Sequence, residues 1–467
     1  MHWYNTKDIA GRWLGMIFTV AIIVRLLFCV TGYVTEGPRY FMTYSDSHGY
    51  LTIATNLVER RGFSMSEIAP FEPDSIRIPG YPYFLAFSLL LFGNPWLAIL
   101  IQILLGAFTP LLLYEVLRRF QFTKRVALIV AGIIAIEPLQ AAFSVFLTSE
   151  SIFIFLFLGS LLLMLEYLPK RSVALLFGSA VLWGLATIVR PIALYTLLLF
   201  ALFILWHGGW RTAKAWSHAG AYLLIGFIVL APWMTRNLLY FNSFQLSAVP
   251  YYNMYVWHGG SVRAMHKGTA FDKEREALET VLIERGFDVT SSLGAKEFMK
   301  KGAREIMRAH PLALLKLDSY NAWKFFTMDG YYDLALHLGF YKNAPGTALS
   351  FIDFKSSLHK LPKLLMQNPM FFLFVGGRLA WILLLIVALW GVYLSLRIKE
   401  FRKRDVFLIF LVGYFMLASL TTGYGMNARF RMPIAPFYLA YIVLSLGYGA
   451  SYLRKRSAAI YTGFEKR

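Results

Sequence analysis

Cysteine is almost missing from this chain: Cys29 is the only one in 467 residues, so no internal disulfide can form and stability has to come from packing. Charge is scarce as well, at 15% of residues against about a quarter in soluble domains, while 58% of the chain is hydrophobic and the mean hydropathy is +0.55. An ordinary soluble protein is excluded, and a polytopic membrane protein is implied. Acids are outnumbered, 26 against 46 lysines and arginines, for a net charge of +20. In a membrane chain such cations gather in cytoplasmic loops, so the excess does not imply a nucleic-acid partner. The absence of any N-x-S/T sequon disfavours a glycosylated secretory lumen. With no HExxH, no cysteine pair and nine scattered histidines, no metal site is expected. There is no Walker A motif and no G-x-G-x-x-G after a strand, so neither nucleotide nor other cofactor is expected, and any sugar donor should be lipid-borne.

What is present is a series of apolar runs. Trp13 to about Tyr33 follows Lys7 and Arg12 and reads as an uncleaved anchor with its N-terminus in the cytoplasm. Further spans are predicted at Trp96 to Leu117, Val126 to about Leu147, Ile152 to Tyr167, Val173 to Arg190, Ile192 to Trp206, Ala219 to about Met234, Phe371 to Leu396, Val406 to Leu420 and Pro433 to Leu453. The expectation is an all-α, ten-span protein with both termini inside and every short cytoplasmic loop basic, as in RRFQFTKR after the second span. The chain reads as a single integral-membrane unit over residues 1–467, with external loops at 35–95 and 236–369. In the larger loop, DKEREALETVLIERGF, GAKEFMKKGAREIMRAH and PLALLKLDSYNAWKFF read as amphipathic helices stopped by Gly286, Pro311 and Asp329-Gly330.

The first external loop is the polar exception in an apolar chain. From Asp46, residues Tyr50, Leu51, Ala54, Leu57 and Val58 form one helical stripe that Arg60-Arg61-Gly62 ends. Pro79 to Phe92 is apolar but about 14 residues long, short of the roughly 20 a span requires, so it should lie at the interface. Asp46 could be a helix N-cap. Glu150, the only acid at the external turn between the third and fourth spans, supplies a second carboxylate on the same face, an arrangement suited to general-base chemistry. Arg77, Arg190, Arg236, Arg378, Arg429 and Arg431 fall at or near the outer ends of spans, where the positive-inside rule gives no reason for them. Their forks suit a lipid-linked phosphate; lipid-headgroup snorkelling is the plainer reading. Arg429 and Arg431, two apart before Pro433, are predicted to project together. Arg25 and Glu137, each about 12 residues into an outward span, are expected to form a buried pair, with Pro138 kinking the third span.

These motifs carry a resemblance. D-x-x-x-Y-x-x-x-A at Asp46, Tyr50 and Ala54, then R-G-F-S, then R-x-P-G-Y-P from Arg77 to Pro82, resembles the first external loop of bacterial GT-C glycosyltransferases. These are the membrane enzymes related to protein O-mannosyltransferases and to the lipid A aminoarabinose transferase. Ser149-Glu150, Val189 to Pro191, PWMTRN at Pro232 to Asn237, Ala309 to Pro311 and RFRMPIAP from Arg429 continue it in order. The resemblance implies Asp46 as the catalytic aspartate, Glu150 as the second acidic position and Arg77 beside the cation on the carrier phosphate, with Ser47 where the mannosyltransferases often have a second acid. Arg236, Arg429 and Arg431 are the further phosphate candidates, and Tyr50, His48 and Arg190 the substrate-binding ones. The expected function is inverting transfer of a sugar from a polyprenyl-phosphate carrier to a hydroxyl of lipid A, an envelope glycan or a protein, on the outer face of the bacterial cytoplasmic membrane. A non-catalytic lipid carrier or flippase, or a polysaccharide ligase or polymerase with a lipid-diphosphate donor, are the alternatives.

Overall fold

The computed structural model describes residues 6–287, 293–331, 334–335 and 371–447, and among them every regular element is helical. A long first helix, α1 (Thr6–Glu36), leads through a 3-10 turn (Gly37–Met42) into α2 (Ser45–Val58) and α3 (Gly80–Phe92). There follow α4 (Trp96–Arg119), α5 (Lys124–Ile136), α6 (Pro138–Phe143), α7 (Glu150–Lys170), α8 (Val173–Val189), α9 (Thr196–Gly208) and α10 (Ala213–Phe241). A helical unit comes next: α11 (Val249–Tyr252), a π-helical stretch (Asn253–His258), α12 (Gly259–Lys267), α13 (Phe271–Glu284), α14 (Lys296–Ala309) and α15 (Pro311–Thr327). The described chain closes with α16 (Phe371–Leu396), α17 (Arg402–Leu420) and α18 (Ala435–Gly447). Among the described residues, six helical stretches are long and apolar enough to cross a membrane, in α1, α4, α7, α9 with its preceding turn, α10 and α16; α3, α8 and α18 are apolar but shorter.

The two loop helices lie where the hydrophobic stripe and the chain punctuation place them. Arg60 and Gly62 adopt positive φ and turn the chain after α2, and Gly93 does so after α3. Gly80 begins α3 against the end of α8: a Cβ there would stand 2.6 Å from the Ile188 carbonyl oxygen. The Tyr50 and Tyr81 rings meet edge to face at 4.8 Å, and the Tyr81 hydroxyl donates to Gln102 of α4 at 2.6 Å. The later unit follows its sequence signals too, with positive φ at Gly286 and Gly330 and Pro311 opening α15. The end of the predicted 236–369 loop lies outside the described residues, and α10 carries Arg236 inside its C-terminal part rather than in a loop.

The third predicted span is not one helix. α5 stops at Ile136, Glu137 caps α6 by accepting from the Gln140 N–H at 2.7 Å, and the chain then runs through turns to α7. Leu147 N–H donates to the Phe41 carbonyl at 2.8 Å, and Gln102 donates to the Phe146 carbonyl at 2.8 Å, so this irregular segment is held between the first loop and α4. Arg25 is buried as expected and lies within electrostatic reach of Glu137, but the two form no close salt bridge among the described residues. Ending α5 early frees the last carbonyls of the helix, and Arg25 donates to that of Ala135 at 3.0 Å as well as to Ala21 in its own helix at 3.0 Å. Gly106 of α4 makes the room: a Cβ there would lie 2.7 Å from Arg25 Nε. The break has a consequence for the site, because it delivers Glu150 at the start of α7 beside the first loop.

Candidate active site

Asp46 stands in the first turn of α2, whose cap is Tyr44. Its side chain caps nothing. Oδ1 accepts from Arg77 Nη1 at 2.9 Å and Oδ2 from Arg429 Nη1 at 3.0 Å, so both oxygens are held by guanidinium groups. Arg429 reaches onward to Glu150 Oε1 at 3.9 Å, and the same oxygen of Glu150, almost fully buried, is paired with Arg190. The result is a chain of alternating charge, Arg77, Asp46, Arg429, Glu150, Arg190, with three cations on two carboxylates. Aromatic faces line it: Tyr50 lies 4.9 Å from the Arg77 guanidinium and Tyr44 lies 5.6 Å from that of Arg429. Burial pushes the Asp46 pKa up, but Arg77 and Arg429 outweigh it and hold the carboxyl well below the usual range. On both arginines the Nε–H is buried and has no hydrogen-bond partner among the described residues. Buried polar groups are ordinarily paired, so two cationic donors left open beside one carboxylate mark this cluster as the candidate site.

Arg77 is positioned by the 59–79 loop, which is stitched at many points. Asn56 donates to the Ser64 and Ser66 carbonyls at 2.8 and 2.9 Å. Buried Asp74 accepts the Arg77 backbone N–H at 2.6 Å. Ala248 N–H and the Ser247 hydroxyl reach the Ser75 and Ile76 carbonyls at 2.8 and 2.6 Å, tying the loop to the later helical unit. Desolvation raises the Asp74 carboxyl to about 7 against the pull of Arg77 and Arg236.

The remaining predicted residues are dispersed. Arg236 donates to the Asp74 backbone carbonyl at 2.7 Å and sits among Phe63, Trp233, Tyr240 and Phe241; it braces the loop rather than facing Asp46. Arg431 does not project with Arg429. It donates to the carbonyls of Phe325 and Met328, both at 2.7 Å, and stacks on Trp381 at 3.8 Å, which ties the end of α15 to α16. The reason is the local helix: Ala428–Arg431 is a 3-10 turn, in which residues two apart point about 120° apart. His48 is exposed and makes no hydrogen bond or ion pair among the described residues, whereas Tyr50 is buried against Arg77.

The sequence leads to the expectation of an apolar cleft for the prenyl chain above the surface helices α2 and α3, but the large cavity is lined by neither of them. About 1070 Å³ opens between α5, α16 and α18, from Gln121, Arg125 and Arg404 at one end to Asp329 and Arg431 at the other, with Ile129, Trp381, Leu384 and Val443 along its wall. A pocket of about 90 Å³, lined by Tyr44, Phe143, Asn427 and Arg429 among others, adjoins it through the shared residues Leu139 and Ala428. At the far end Arg404 is neutralised by Asp405 at 2.7 Å, and Tyr441 donates to that carboxylate at 2.7 Å.

This architecture is that of the GT-C fold, and its long apolar helices make the chain a multi-pass membrane protein. The family model of dolichyl-phosphate-mannose-protein mannosyltransferases matches residues 73–235, the stretch that holds Arg77, Glu150 and Arg190. The chain is similar in structure to the Archaeoglobus fulgidus oligosaccharyltransferase in its apo form, with a TM-score of 0.52 and 15% identity over 98% of this chain and 52% of that one. It is similarly related to the same organism's oligosaccharyltransferase AglB in complex with an inhibitory peptide and a dolichol-phosphate, with a TM-score of 0.50 and 12% identity over 99% of this chain and 52% of that one. The chain thus spans about half the length of these solved structures. No curated protein matches it by sequence.

Proposed function

We propose that this protein is an inverting glycosyltransferase that moves a sugar from a polyprenyl-phosphate carrier to an acceptor hydroxyl on the outer face of the bacterial cytoplasmic membrane. The observation that carries the reading is Asp46 held between Arg77 and Arg429, each with an unpartnered buried Nε–H. The prenyl chain lies in the apolar cavity between α5, α16 and α18, and its phosphate reaches Arg429 by way of Leu139 and Ala428. Asp46 takes the acceptor's proton, the acceptor oxygen attacks the anomeric carbon, and the bond to the carrier phosphate breaks with its charge met by Arg77 and Arg429. Glu150 and Arg190 hold Arg429 from behind. The acceptor is lipid A, another envelope glycan or a protein, and the complex of AglB with a dolichol-phosphate and a peptide supports a lipid-linked donor and a macromolecular acceptor. A flippase would need charged groups along its path, whereas the middle of this cavity is walled by apolar side chains.

The test is complementation of a deletion strain, read by mass spectrometry of lipid A, envelope glycans and glycoproteins. Wild-type protein restores the missing glycan, and Asp46→Asn at equal membrane abundance does not, since loss of a general base costs about 10²- to 10⁴-fold. Full restoration by Asp46→Asn removes Asp46 from catalysis.

A further inference from the structure

We propose that Arg429 is a donor-operated latch on Asp46: in the resting protein it occupies the carboxylate, and the carrier phosphate, binding first, draws it away and so arms the base. This rests on the reading of Asp46 as general base and of the donor as a lipid-linked phosphate, and it adds an order to the reaction.

The resting geometry poses the problem that the latch solves. With Arg77 on Oδ1 at 2.9 Å and Arg429 on Oδ2 at 3.0 Å, Asp46 has no cation-free oxygen for an acceptor hydroxyl. A carboxylate doubly held in this way is also a weak base, and proton transfer follows base strength. One of the two arginines has to yield. Arg77 is fixed: its backbone N–H is bound by Asp74 at 2.6 Å, its guanidinium lies on Tyr50 at 4.9 Å, and its loop is tied to the later helical unit. Arg429 is the partner whose side chain can yield, since a second carboxylate, Glu150, stands at 3.9 Å to balance its charge once it leaves Asp46.

Arg429 is also the cation a headgroup meets first. It lines the small pocket that adjoins the large cavity through Leu139 and Ala428, and its buried Nε–H has no partner among the described residues. A phosphate oxygen there satisfies that donor and competes with Asp46 for the Nη1–H. Losing one arginine partner raises a carboxylate's pKa by about 1–3 units. Once armed, Asp46 accepts the acceptor's proton, the acceptor oxygen bonds to the anomeric carbon, and the electron pair of the breaking sugar–oxygen bond leaves with the carrier phosphate. Departure of that phosphate lets Arg429 return to Asp46.

The test uses the full chain in lipid nanodiscs with ¹³C-carboxyl aspartate, the Asp46 carboxylate stretch being assigned in infrared difference spectra by its loss in Asp46→Asn. Undecaprenyl phosphate is the probe and undecaprenol the control. The Asp46 band is expected to move with the phosphate and not with the alcohol. Arg429→Gln should show the shifted band without ligand and no further change with it; if that variant does not fold, the wild-type comparison still decides. Thermal stabilisation by undecaprenyl phosphate with an unmoved Asp46 band overturns the latch and leaves the donor assignment standing. Absence of any binding by undecaprenyl phosphate overturns both.

Discussion

Asp74→Asn isolates one buried charge in the loop that carries Arg77. Asp74 is fully buried, its Oδ1 accepts the Arg77 N–H at 2.6 Å, and Arg77 and Arg236 are the cations facing it. Its pKa, about 7 in the folded protein, lies above the ordinary aspartate value of roughly 3.9. The folded state therefore binds the proton more tightly than the unfolded one. Its stabilising effect is complete below the unfolded pKa and is lost as pH rises through about 7. Between pH 5.5 and 8.5 the loss is about 2 kcal/mol, from roughly 1.4 kcal/mol per pH unit up to the folded pKa. At about 2.1 cal/mol/K per residue, that lowers the melting temperature of a chain this long by about 2 °C, and by more where helices survive unfolding. Asparagine keeps the acceptor oxygen for Arg77 but cannot ionise. Thermal denaturation in one detergent at both pH values should show the fall in wild type and its absence in Asp74→Asn. Parallel pH dependence in the two proteins would refute the assignment of this proton to Asp74.

Arg431→Ala should lower stability by about 2–3 kcal/mol, because two charge-assisted bonds to the Phe325 and Met328 carbonyls are lost, and should weaken undecaprenyl phosphate binding by less than about ten-fold; a loss of about ten-fold or more in the folded variant would return Arg431 to the phosphate site. In a Cys29→Ser background, Asn94→Cys should label with impermeant maleimide from outside intact cells and Gln121→Cys only after permeabilisation; external labelling at Gln121→Cys would invert the assigned orientation.

Elements whose signals are local were legible in the sequence. α2, α3, α13, α14 and α15 lie within a few residues of their predicted limits because glycine and proline punctuate them. Asp46, Glu150, Arg77, Arg190 and Arg429 were all identified, and the structure brings them into one network. The misplaced arginines share one cause. Arg236 and Arg431 spend their donors on backbone carbonyls contributed 162 and more than 100 positions away, partners that leave no trace in side-chain identity. The broken third span was hidden in the same way: an apolar composition records burial, but here the buried stretch between α6 and α7 satisfies part of its backbone through Phe41 and Gln102 instead of through a continued helix.

The cavity between α5, α16 and α18 is bordered by the exposed apolar side chains Ile129 and Leu446, and under the proposed function that flank is the entrance from the hydrocarbon. A carrier lipid that enters sideways never passes through the aqueous phase, and its encounter with the protein is diffusion in two dimensions. Saturation is then set by mole fraction among the surrounding lipids, and diluting the vesicles in buffer leaves the rate per protein unchanged. Adding inert phospholipid to the same vesicles slows it.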